Sequence, residues 1–321
     1  MNYLSLGATG LRVSRLAVGT AAFGLDRYGI PGPGNGRVDR AEAMEMLACA
    51  ADKGVNLFDT APGYGTSEDL LGSALADRRE CVFATKVTIP EDLETISNAE
   101  LIRRVNASLD HSLRALRRDV LDIVQIHNAT VSILQQGEMV ECLERMREQG
   151  KVRYIGASVY GEEAALAALR TGKIQVLQIA LSVLDQRMCG TVIPMAMERG
   201  VGVLSRSALL KGVLTEKAQW LPERLSKLTD ASRRALATFG STWETLPSMA
   251  LRFCVSLPGV DSVLSGIRNR AELDDCMTAM ACGSLDPDVL QQAFTLGLDD
   301  ECLLNPTNWK LEEIDTHLAQ L

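Results

Sequence analysis

The sequence predicts an α/β protein whose parallel strands close into a single (β/α)₈ barrel. A short apolar run, a polar loop and an amphipathic helical stretch follow one another eight times along the chain. Eight such units favour a closed barrel. The alternative, an open doubly wound sheet, usually has fewer units and a glycine-rich first turn, and no G-x-G-x-x-G follows the first apolar run here.

The eight apolar runs, rich in Val, Ile and Leu, are the predicted strands. They lie at residues 16–19, 56–59, 82–86, 121–127, 154–158, 176–179, 202–205 and 262–265. The predicted helices lie at 40–53, 67–77, 99–116, 136–149, 162–171, 189–199, 248–256 and 270–281. Three of these helices run into Gly54, Gly150 and Gly200, where a left-handed C-terminal cap is expected.

Three further segments lie outside the repeating units. Residues 4–14 alternate around a Gly-containing turn and predict a β-hairpin that precedes the barrel and plugs its lower end. Residues 31–36, PGPGNG, form a loop after the first barrel strand, a position that lines active sites in such barrels. Residues 213–247 are a long insertion after the seventh strand. With no linker-like or repeated segment, residues 1–321 are interpreted as one domain.

The overall charge limits the class of partner. A net charge of −8 and a pI near 5.1 argue against nucleic acid or an anionic membrane, both of which attract basic surfaces. The start of the chain lacks a signal-peptide pattern, and no apolar run approaches the roughly 18 residues that span a bilayer. Eight scattered cysteines without a C-x-x-C pair favour buried, reduced thiols in a cytoplasmic protein over disulfides or metal ligands. We expect a monomer or a small homo-oligomer that binds no metal.

Four polar residues follow or end three neighbouring predicted strands. Asp59 and Tyr64 come from the second strand and its loop, Lys86 ends the third and His127 ends the fourth. Taken singly, each has an ordinary structural explanation, such as a turn cap, a turn aromatic, a solvated lysine or a histidine at the edge of the core. Together, at the face of a barrel where chemistry occurs, they predict a catalytic site.

These residue types suit proton transfer to a carbonyl. A phenol ordinarily titrates near pH 10, and a nearby ammonium stabilises its phenolate form. A carboxylate holds that ammonium in place and keeps it charged. Such a phenol can donate a proton to a carbonyl oxygen while hydride arrives at the carbon, and a neutral imidazole can orient the same oxygen.

The chain also resembles the aldo-keto reductase family from end to end. The segments that carry the resemblance are 6–14, 58–65, 85–86, 127–128, 150–158 and 266–269. Among them, Asp-Thr-Ala-x-x-Tyr-Gly at 59–65 and Lys-x-Arg-x-Ile-Gly-x-Ser at 151–158 are highly specific in combination. The resemblance implies that Tyr64 is the general acid–base, that Lys86 and Asp59 tune it, and that His127 positions the carbonyl.

The resemblance further implies a nicotinamide cofactor, NADPH/NADP⁺ with NADH as a possibility, bound across the barrel mouth without a dinucleotide fingerprint. Gly19 and Thr20 would lie near the nicotinamide ribose, Ser158 and Gln178 would hold the carboxamide, and Asp59 is a further cofactor-binding candidate. The loop at 205–212 would follow the pyrophosphate. The cofactor-binding candidates in that loop and at the adenosine end are Ser205, Arg206, Ser207, Leu209, Gly212, Gly266, Arg268, Glu272 and Asp275.

An arginine at a helix N-terminus is also, on physical grounds, a site for an anion. The resemblance implies that residues 266–269 meet the adenosine 2′-phosphate, and Arg268 there favours NADPH over NADH. Three positions depart from the family pattern. Val159 replaces an asparagine beside the carboxamide, Arg206 replaces the aromatic that stacks under the nicotinamide, and Asp275-Cys276 replaces a Glu-Asn pair at the adenine. A charged Arg206 would disfavour the oxidised cofactor.

The substrate is the least defined part of the prediction. Only 4% of residues are aromatic, and Arg27, Tyr28, Asn128 and the glycine-rich loop favour a sugar-like or hydroxylated aldehyde or ketone. Tyr28, Tyr64, His127 and Asn128 are the substrate-binding candidates. Two alternatives stay open: a cofactor-binding accessory or regulatory subunit, and a lyase or isomerase that uses Lys86 as a Schiff base. Tyr64 and His127 favour hydride chemistry over the second.

Overall fold

A computed structural model describes residues 1–31 and 38–311. Eight parallel strands close into a barrel, and a separate two-stranded antiparallel hairpin precedes them. The strands, in chain order, are β1 Tyr3–Ser5, β2 Arg12–Ser14, β3 Leu16–Gly19, β4 Leu57–Asp59, β5 Val82–Val87, β6 Leu121–Ile126, β7 Val152–Val159, β8 Val176–Ala180, β9 Gly202–Arg206 and β10 Ser262–Gly266. The predicted (β/α)₈ barrel is confirmed, and each predicted strand lies within two residues of its observed bounds.

Helices surround the barrel and complete its βα units. The α-helices of the described residues are α1 Ala21–Gly24, α2 Arg40–Asp52, α3 Ser67–Leu75, α4 Asn98–Leu116, α5 Val131–Gln136, α6 Glu138–Glu148, α7 Glu162–Arg170, α8 Val192–Glu198, α9 Ser226–Phe239, α10 Leu246–Ser256, α11 Arg270–Cys282, α12 Pro287–Ala293 and α13 Glu301–Leu304. Short 3₁₀ turns lie at Leu210–Gly212, Glu216–Trp220, Glu223–Leu225, Phe294–Leu296 and Pro306–Asn308. None of the described helices is long and apolar enough to cross a membrane.

The predicted helix bounds need two corrections. The helix expected at 136–149 begins instead at Glu138, because Gly137 has a left-handed φ of 80° that separates α5 from α6. The insertion at 213–247 contains the 14-residue helix α9, which buries Leu228, Ala231 and Ala235 at helical spacing. The left-handed turns expected after three helices are present, with φ of 91° at Gly54, 78° at Gly150 and 66° at Gly200.

Alternation along the barrel strands divides the interior into two layers. Successive side chains of a strand point to opposite faces, so every second residue points into the barrel. The lower layer is apolar and consists of Ala17, Leu57, Val82, Ala84, Ile123, Val176, Leu204 and Leu264. Two to four residues further along, the inward positions are Gly19, Asp59, Lys86, Gln125, Ser158, Gln178, Arg206 and Gly266. These eight positions form the upper layer, so the mouth of the barrel is polar.

The N-terminal hairpin closes the apolar end. Leu6, Leu11 and Val13 join the lower layer of the barrel, and Leu6 is fully buried. Leu6 packs so closely against β9 that a Cβ at Gly202 would lie 2.6 Å from its Cγ. The Tyr154 hydroxyl of β7 donates a hydrogen bond to the Thr9 carbonyl of the hairpin turn. These contacts agree with the predicted plug at the lower end.

The eight cysteines are all free thiols, and Cys81, Cys142, Cys254 and Cys276 are buried. The expectation of burial is wrong for Cys282 and Cys302, which are exposed. Cys282 is the last residue of α11, and Cys302 lies in α13. Within the described part of the chain, no group of His, Cys, Asp and Glu side chains could hold a metal ion. The predicted loop at 31–36 lies outside the described residues except for Pro31.

Candidate active site

The turn that follows β4 holds Tyr64 at the barrel mouth. The amide of Tyr64 donates to the Ala61 carbonyl at 3.0 Å, which closes the turn. The Ser67 hydroxyl, at the start of α3, reaches the carbonyls of Tyr64 and Thr20, both at 2.8 Å. Gly65 has a φ of 59°, and a Cβ there would lie 2.2 Å from the Gly24 carbonyl oxygen. Gly65 is thus needed for this turn to pack against the end of α1.

Lys86 and Asp59 form a buried ion pair between neighbouring strands. The Lys86 Nζ lies 2.9 and 2.7 Å from the two carboxylate oxygens of Asp59 and donates to the Thr60 carbonyl at 2.9 Å. The side chains are 1% and 6% exposed. Burial alone would lower the pKa of Lys86, but Asp59 and Tyr64 together raise it above its ordinary value. Lys86 is therefore a fixed positive charge.

Tyr64 and His127 lie next to that charge. The Lys86 Nζ is 4.8 Å from the centroid of the Tyr64 ring. The Tyr64 and His127 rings meet edge to face, with centroids 5.7 Å apart and an interplanar angle of 82°. The structure therefore brings together all four residues predicted to be catalytic.

The environment of His127 favours its neutral form. Burial, followed by the charge of Lys86, lowers the pKa of His127 from its ordinary 6.5 to about 4, although Asp59 acts in the opposite direction. A neutral imidazole can donate a hydrogen bond from one ring nitrogen and accept with the other. His127 is thus suited to orienting a neutral polar group beside Tyr64.

Ser158 and Gln178, predicted to hold a carboxamide, are linked to the catalytic carboxylate. The Ser158 hydroxyl donates to the Gln178 Oε1 at 3.1 Å, and the Gln178 Nε2 donates to the Asp59 Oδ1 at 2.7 Å. All three residues are buried. Thr20, another cofactor candidate, donates from its hydroxyl to the Asp59 carbonyl at 3.0 Å. One hydrogen-bonded network therefore joins the candidate cofactor end and the ion pair.

Arg206, at the end of β9, is held over the mouth by its neighbours. Its guanidinium lies 3.8 Å from the centroid of the Tyr160 ring. It also donates to the Val159 carbonyl at 2.9 Å and to the Ser207 hydroxyl at 3.3 Å. Two of these contacts join Arg206 to the end of β7, directly after Ser158.

The loop after β9 has an unusual backbone. Ser207, Leu210 and Lys211 have φ of 65°, 44° and 53°, values that L residues other than glycine rarely adopt. Such conformations cluster at ligand sites, where surrounding contacts maintain them. The Lys211 carbonyl accepts from the Ile30 amide at 3.0 Å, which ties this loop to the one after β3.

Arg268, at the start of α11, spans two loops of the mouth. One guanidinium nitrogen donates to the Tyr28 carbonyl, while Nη1 is buried and has no hydrogen-bond partner. The Arg268 amide donates to the Glu272 carboxylate at 2.7 Å. Asn269 caps the helix by accepting from the Glu272 amide at 2.9 Å. Glu272 thus helps to build the turn that presents Arg268.

Some candidates are less directly placed at the mouth. Ser205 is buried beside Cys254 of α10, because it points to the opposite face of β9 from Arg206. Asp275 is exposed on α11, and Asn128 is an exposed turn residue with a φ of 53°. Gly19 and Gly266 end the adjacent strands β3 and β10, and Leu209 and Gly212 lie in the loop after β9. The roles of all these residues remain predictions.

Tyr28 lies close to the predicted catalytic residues. Burial, followed by the neighbouring Tyr64 and Tyr160, raises the pKa of Tyr28, so its hydroxyl stays protonated. The Lys211 ammonium lies 5.0 Å from the centroid of the Tyr28 ring. Tyr28 is consequently a polar group at the mouth, in agreement with its predicted place.

The sequence reasoning missed three residues of this site. Gln125 donates to the Asp59 Oδ1 at 3.3 Å, and it could have been found as a polar residue two positions before His127 on the same strand face. Tyr160 could have been found in the same way, because it lies two residues after Ser158. Lys211 lies in the loop already predicted, but nothing in the local sequence indicates that its ammonium meets the Tyr28 ring.

The arrangement as a whole combines a phenol, a fixed ammonium and a neutral imidazole at the mouth of a barrel. A family model described as the aldo/keto reductase family matches residues 15–294. The match covers most of the chain. The chain belongs to the aldo/keto reductase family, whose members are oxidoreductases that act on carbonyls and use nicotinamide cofactors.

Individual relatives match over nearly the whole chain. The chain is 28% identical to L-galactose dehydrogenase of Arabidopsis thaliana, over 93% of this chain and 91% of that protein. It is 27% identical to the NADH-specific methylglyoxal reductase of Escherichia coli, over 90% of this chain and 96% of that protein. The holo form of aldo-keto reductase AKR11C1 from Bacillus halodurans superposes with a TM-score of 0.75 at 24% identity, over 94% and 99% of the two chains. That structural likeness supports the fold.

Proposed function

We propose that this chain reduces an aldehyde or ketone to an alcohol, or performs the reverse oxidation, with NADP(H) and with Tyr64 as the general acid–base. The proposal rests chiefly on one observation. The buried Lys86 ammonium contacts both oxygens of Asp59 and lies 4.8 Å from the Tyr64 ring centroid. A fixed positive charge beside a phenol stabilises the phenolate that proton donation leaves behind.

The residues of the chain then have distinct tasks. In the reductive direction, the Tyr64 hydroxyl gives its proton to the carbonyl oxygen, and Lys86 stabilises the resulting phenolate. Asp59 keeps Lys86 charged and in place, and Gln125 and Gln178 hold the Asp59 carboxylate. Neutral His127 orients the carbonyl oxygen. The nicotinamide, when bound, supplies the hydride.

The residues present fit an NADP(H) molecule. The unpartnered, buried Nη1 of Arg268 at the N-terminal end of α11 suits a phosphate, which is the group that distinguishes NADPH from NADH. The Ser158–Gln178 pair offers a hydroxyl and an amide to a carboxamide. The named preference of the E. coli relative for NADH keeps NADH as a second possibility.

A polar, hydroxylated carbonyl compound is the proposed substrate class. Tyr28, Tyr160, Arg206 and Lys211 surround the mouth with hydrogen-bonding groups. The Arabidopsis relative is named for its action on a sugar, L-galactose, which is consistent with this class.

The test is a combined binding and turnover experiment on the purified full chain. NADPH fluorescence is titrated with protein, and NADPH oxidation is then followed with small aldehydes, hydroxyketones and aldoses. Tyr64→Phe is the decisive variant, because it removes the transferable proton and keeps the ring contact with His127. We expect NADPH binding to persist and turnover to fall by about 10²–10⁴-fold.

Two results would contradict the proposal. Full turnover by Tyr64→Phe would mean that another group transfers the proton. Binding of NADPH without turnover of any carbonyl in the wild-type chain would favour the accessory-subunit alternative, in which the site serves only to hold the cofactor.

A further inference from the structure

Arg206 is held at the barrel mouth, at the end of β9. Its guanidinium is fixed by the Tyr160 ring at 3.8 Å and by the Val159 carbonyl at 2.9 Å. Val159 directly follows Ser158, whose hydroxyl bonds Gln178. Arg206 also acts electrostatically on His127. Arg206 therefore lies near the proposed carboxamide site and close enough to His127 to act on it electrostatically.

The charge of Arg206 is not balanced by an acidic neighbour. Among residues 1–31 and 38–311, no carboxylate forms an ion pair with Arg206 or with Lys211. Its polar contacts are a backbone carbonyl and a hydroxyl, both neutral acceptors. Because the half-buried guanidinium is a cation, its field acts on whatever binds next to it.

We propose that Arg206 makes this protein discriminate between the redox states of its cofactor, holding NADPH more tightly than NADP⁺. The inference rests on the proposed function, because it requires a nicotinamide cofactor at the mouth. Hydride loss turns the neutral dihydronicotinamide ring into a cation, so the oxidised form alone is repelled by Arg206. Two unit charges several ångströms apart near a protein surface change a binding constant by roughly tenfold or more.

The ratio of the two dissociation constants isolates this effect. NADPH and NADP⁺ share the same phosphates, riboses and adenine, so a group that contacts those parts changes both affinities alike. Arg268, by contrast, is proposed to meet the 2′-phosphate, which both forms of the cofactor carry. A charge beside the nicotinamide ring changes the ratio itself, whereas a charge beside the phosphates leaves it unchanged.

The discrimination has a direct consequence for the bound cofactor. A tenfold preference for the reduced form raises the two-electron reduction potential of the bound couple by about 30 mV. The resting protein is therefore loaded with NADPH, and NADP⁺ leaves readily after each reduction. Arg206 thus speeds release of the oxidised product at the expense of a less favourable hydride step on the protein.

The experiment measures the dissociation constants of NADPH and NADP⁺ by calorimetry for the wild type and for Arg206→Gln, Arg206→Met, Arg206→Lys and Arg268→Gln. Arg153→Gln is the matched control, because Arg153 also lies over a tyrosine ring, that of Tyr154 at 5.5 Å, but at the lower end of β7. Thermal unfolding without cofactor reports whether each variant is folded.

In the wild type we expect NADPH to bind at least tenfold more tightly than NADP⁺. In the neutral variants Arg206→Gln and Arg206→Met, the preference for NADPH should fall about tenfold, mainly because NADP⁺ binds more tightly. Arg206→Lys should keep most of the preference. Arg268→Gln should weaken both forms equally, and Arg153→Gln should change neither affinity.

An unchanged ratio in whichever neutral variant is folded would overturn the inference. So would equal losses in Arg206→Lys and Arg206→Gln, because shape rather than charge would then set the preference. If the wild-type chain binds neither form, the proposed function itself fails, and the two failures are thereby distinguished.

Discussion

The lower and upper layers of the barrel interior use the same eight strands in opposite ways. Below, inward side chains such as Leu57, Ile123 and Leu204 pack against each other and against Leu6 of the hairpin. Above, one or two inward positions further along, Asp59 and Lys86 form a buried ion pair. The lower layer is stabilised by the exclusion of water from apolar surface, which requires only size and shape. The upper layer requires a specific partner for every buried charge.

The difference between the two layers explains why the candidate site lies at one end of the barrel. A buried ion pair contributes little net stability, because desolvation of both charges offsets their attraction. The apolar layer and its plug therefore supply the stability that allows a polar, reactive layer above. Variants in the two layers should consequently separate activity from stability.

The largest effect is expected for Lys86→Met. Carbonyl reduction should fall by about 10²–10⁴-fold, because the phenolate of Tyr64 would lose its stabilising cation. The free energy of unfolding should also fall by about 3–5 kcal/mol, since Asp59 would remain buried without its counter-charge. Steady-state kinetics and urea unfolding measure the two losses.

The matched control is Lys53→Met. Lys53 also pairs with a carboxylate, that of Asp274 at 3.0 Å, but both side chains are partly exposed. This variant should lose only about 0–1 kcal/mol and no activity. Equal losses in the two lysine variants would mean that burial is not what separates the upper layer from the surface.

Leu6→Ala should affect stability and spare the chemistry. Removal of a fully buried leucine from the plug should cost about 2–5 kcal/mol in the free energy of unfolding. NADPH affinity and turnover, measured well below the unfolding midpoint, should change little. Leu4→Ala, in the same hairpin but 41% exposed, should stay within about 0.5 kcal/mol of the wild type. A loss of turnover in folded Leu6→Ala would show that the two layers are coupled.

Arg268→Gln should separate the two nicotinamide cofactors. Loss of the guanidinium should weaken NADPH binding about tenfold and leave NADH binding unchanged, because only NADPH carries the 2′-phosphate. Arg270→Gln is the control, since Arg270 is exposed at the first position of α11. Fluorescence titration with both cofactors measures the effect. Parallel weakening of NADPH and NADH would place Arg268 against another part of the cofactor.

The smallest effect concerns how activity and stability depend on pH through His127. Its pKa is lowered to about 4, so the imidazole should stay neutral and active down to about pH 5, well below its ordinary 6.5. Because the unfolded chain takes up this proton first, the stability contributed by neutral His127 is present above about pH 6.5 and is lost as the pH falls through about 4. Turnover and urea midpoints between about pH 4 and 7 test both statements, with His127→Asn as the reference. An activity loss near pH 6.5 that disappears in His127→Asn would contradict the lowered pKa.

The sequence by itself determined the βα units of this protein and indicated the candidate residues of its site. Strands such as Leu16–Gly19 and the turns at Gly54 and Gly150 depend on periodicity and capping over a few neighbouring residues, so their sequence patterns are visible locally. Asp59, Tyr64, Lys86 and His127 were found because strand ends are where a barrel places its chemistry. The missed helix α9 also had a local signal, its buried positions at helical spacing.

Only the tertiary structure decided how these groups meet. Gln125 and Gln178 reach Asp59 from positions 66 and 119 residues away, and Arg206 rests on a tyrosine 46 positions earlier in the chain. Such contacts depend on the register between strands of a closed barrel, which no short stretch of sequence encodes. The sequence therefore specified which charges the protein carries, whereas barrel closure decided that Lys86 is balanced by Asp59 and that Arg206 has no acidic partner among the described residues.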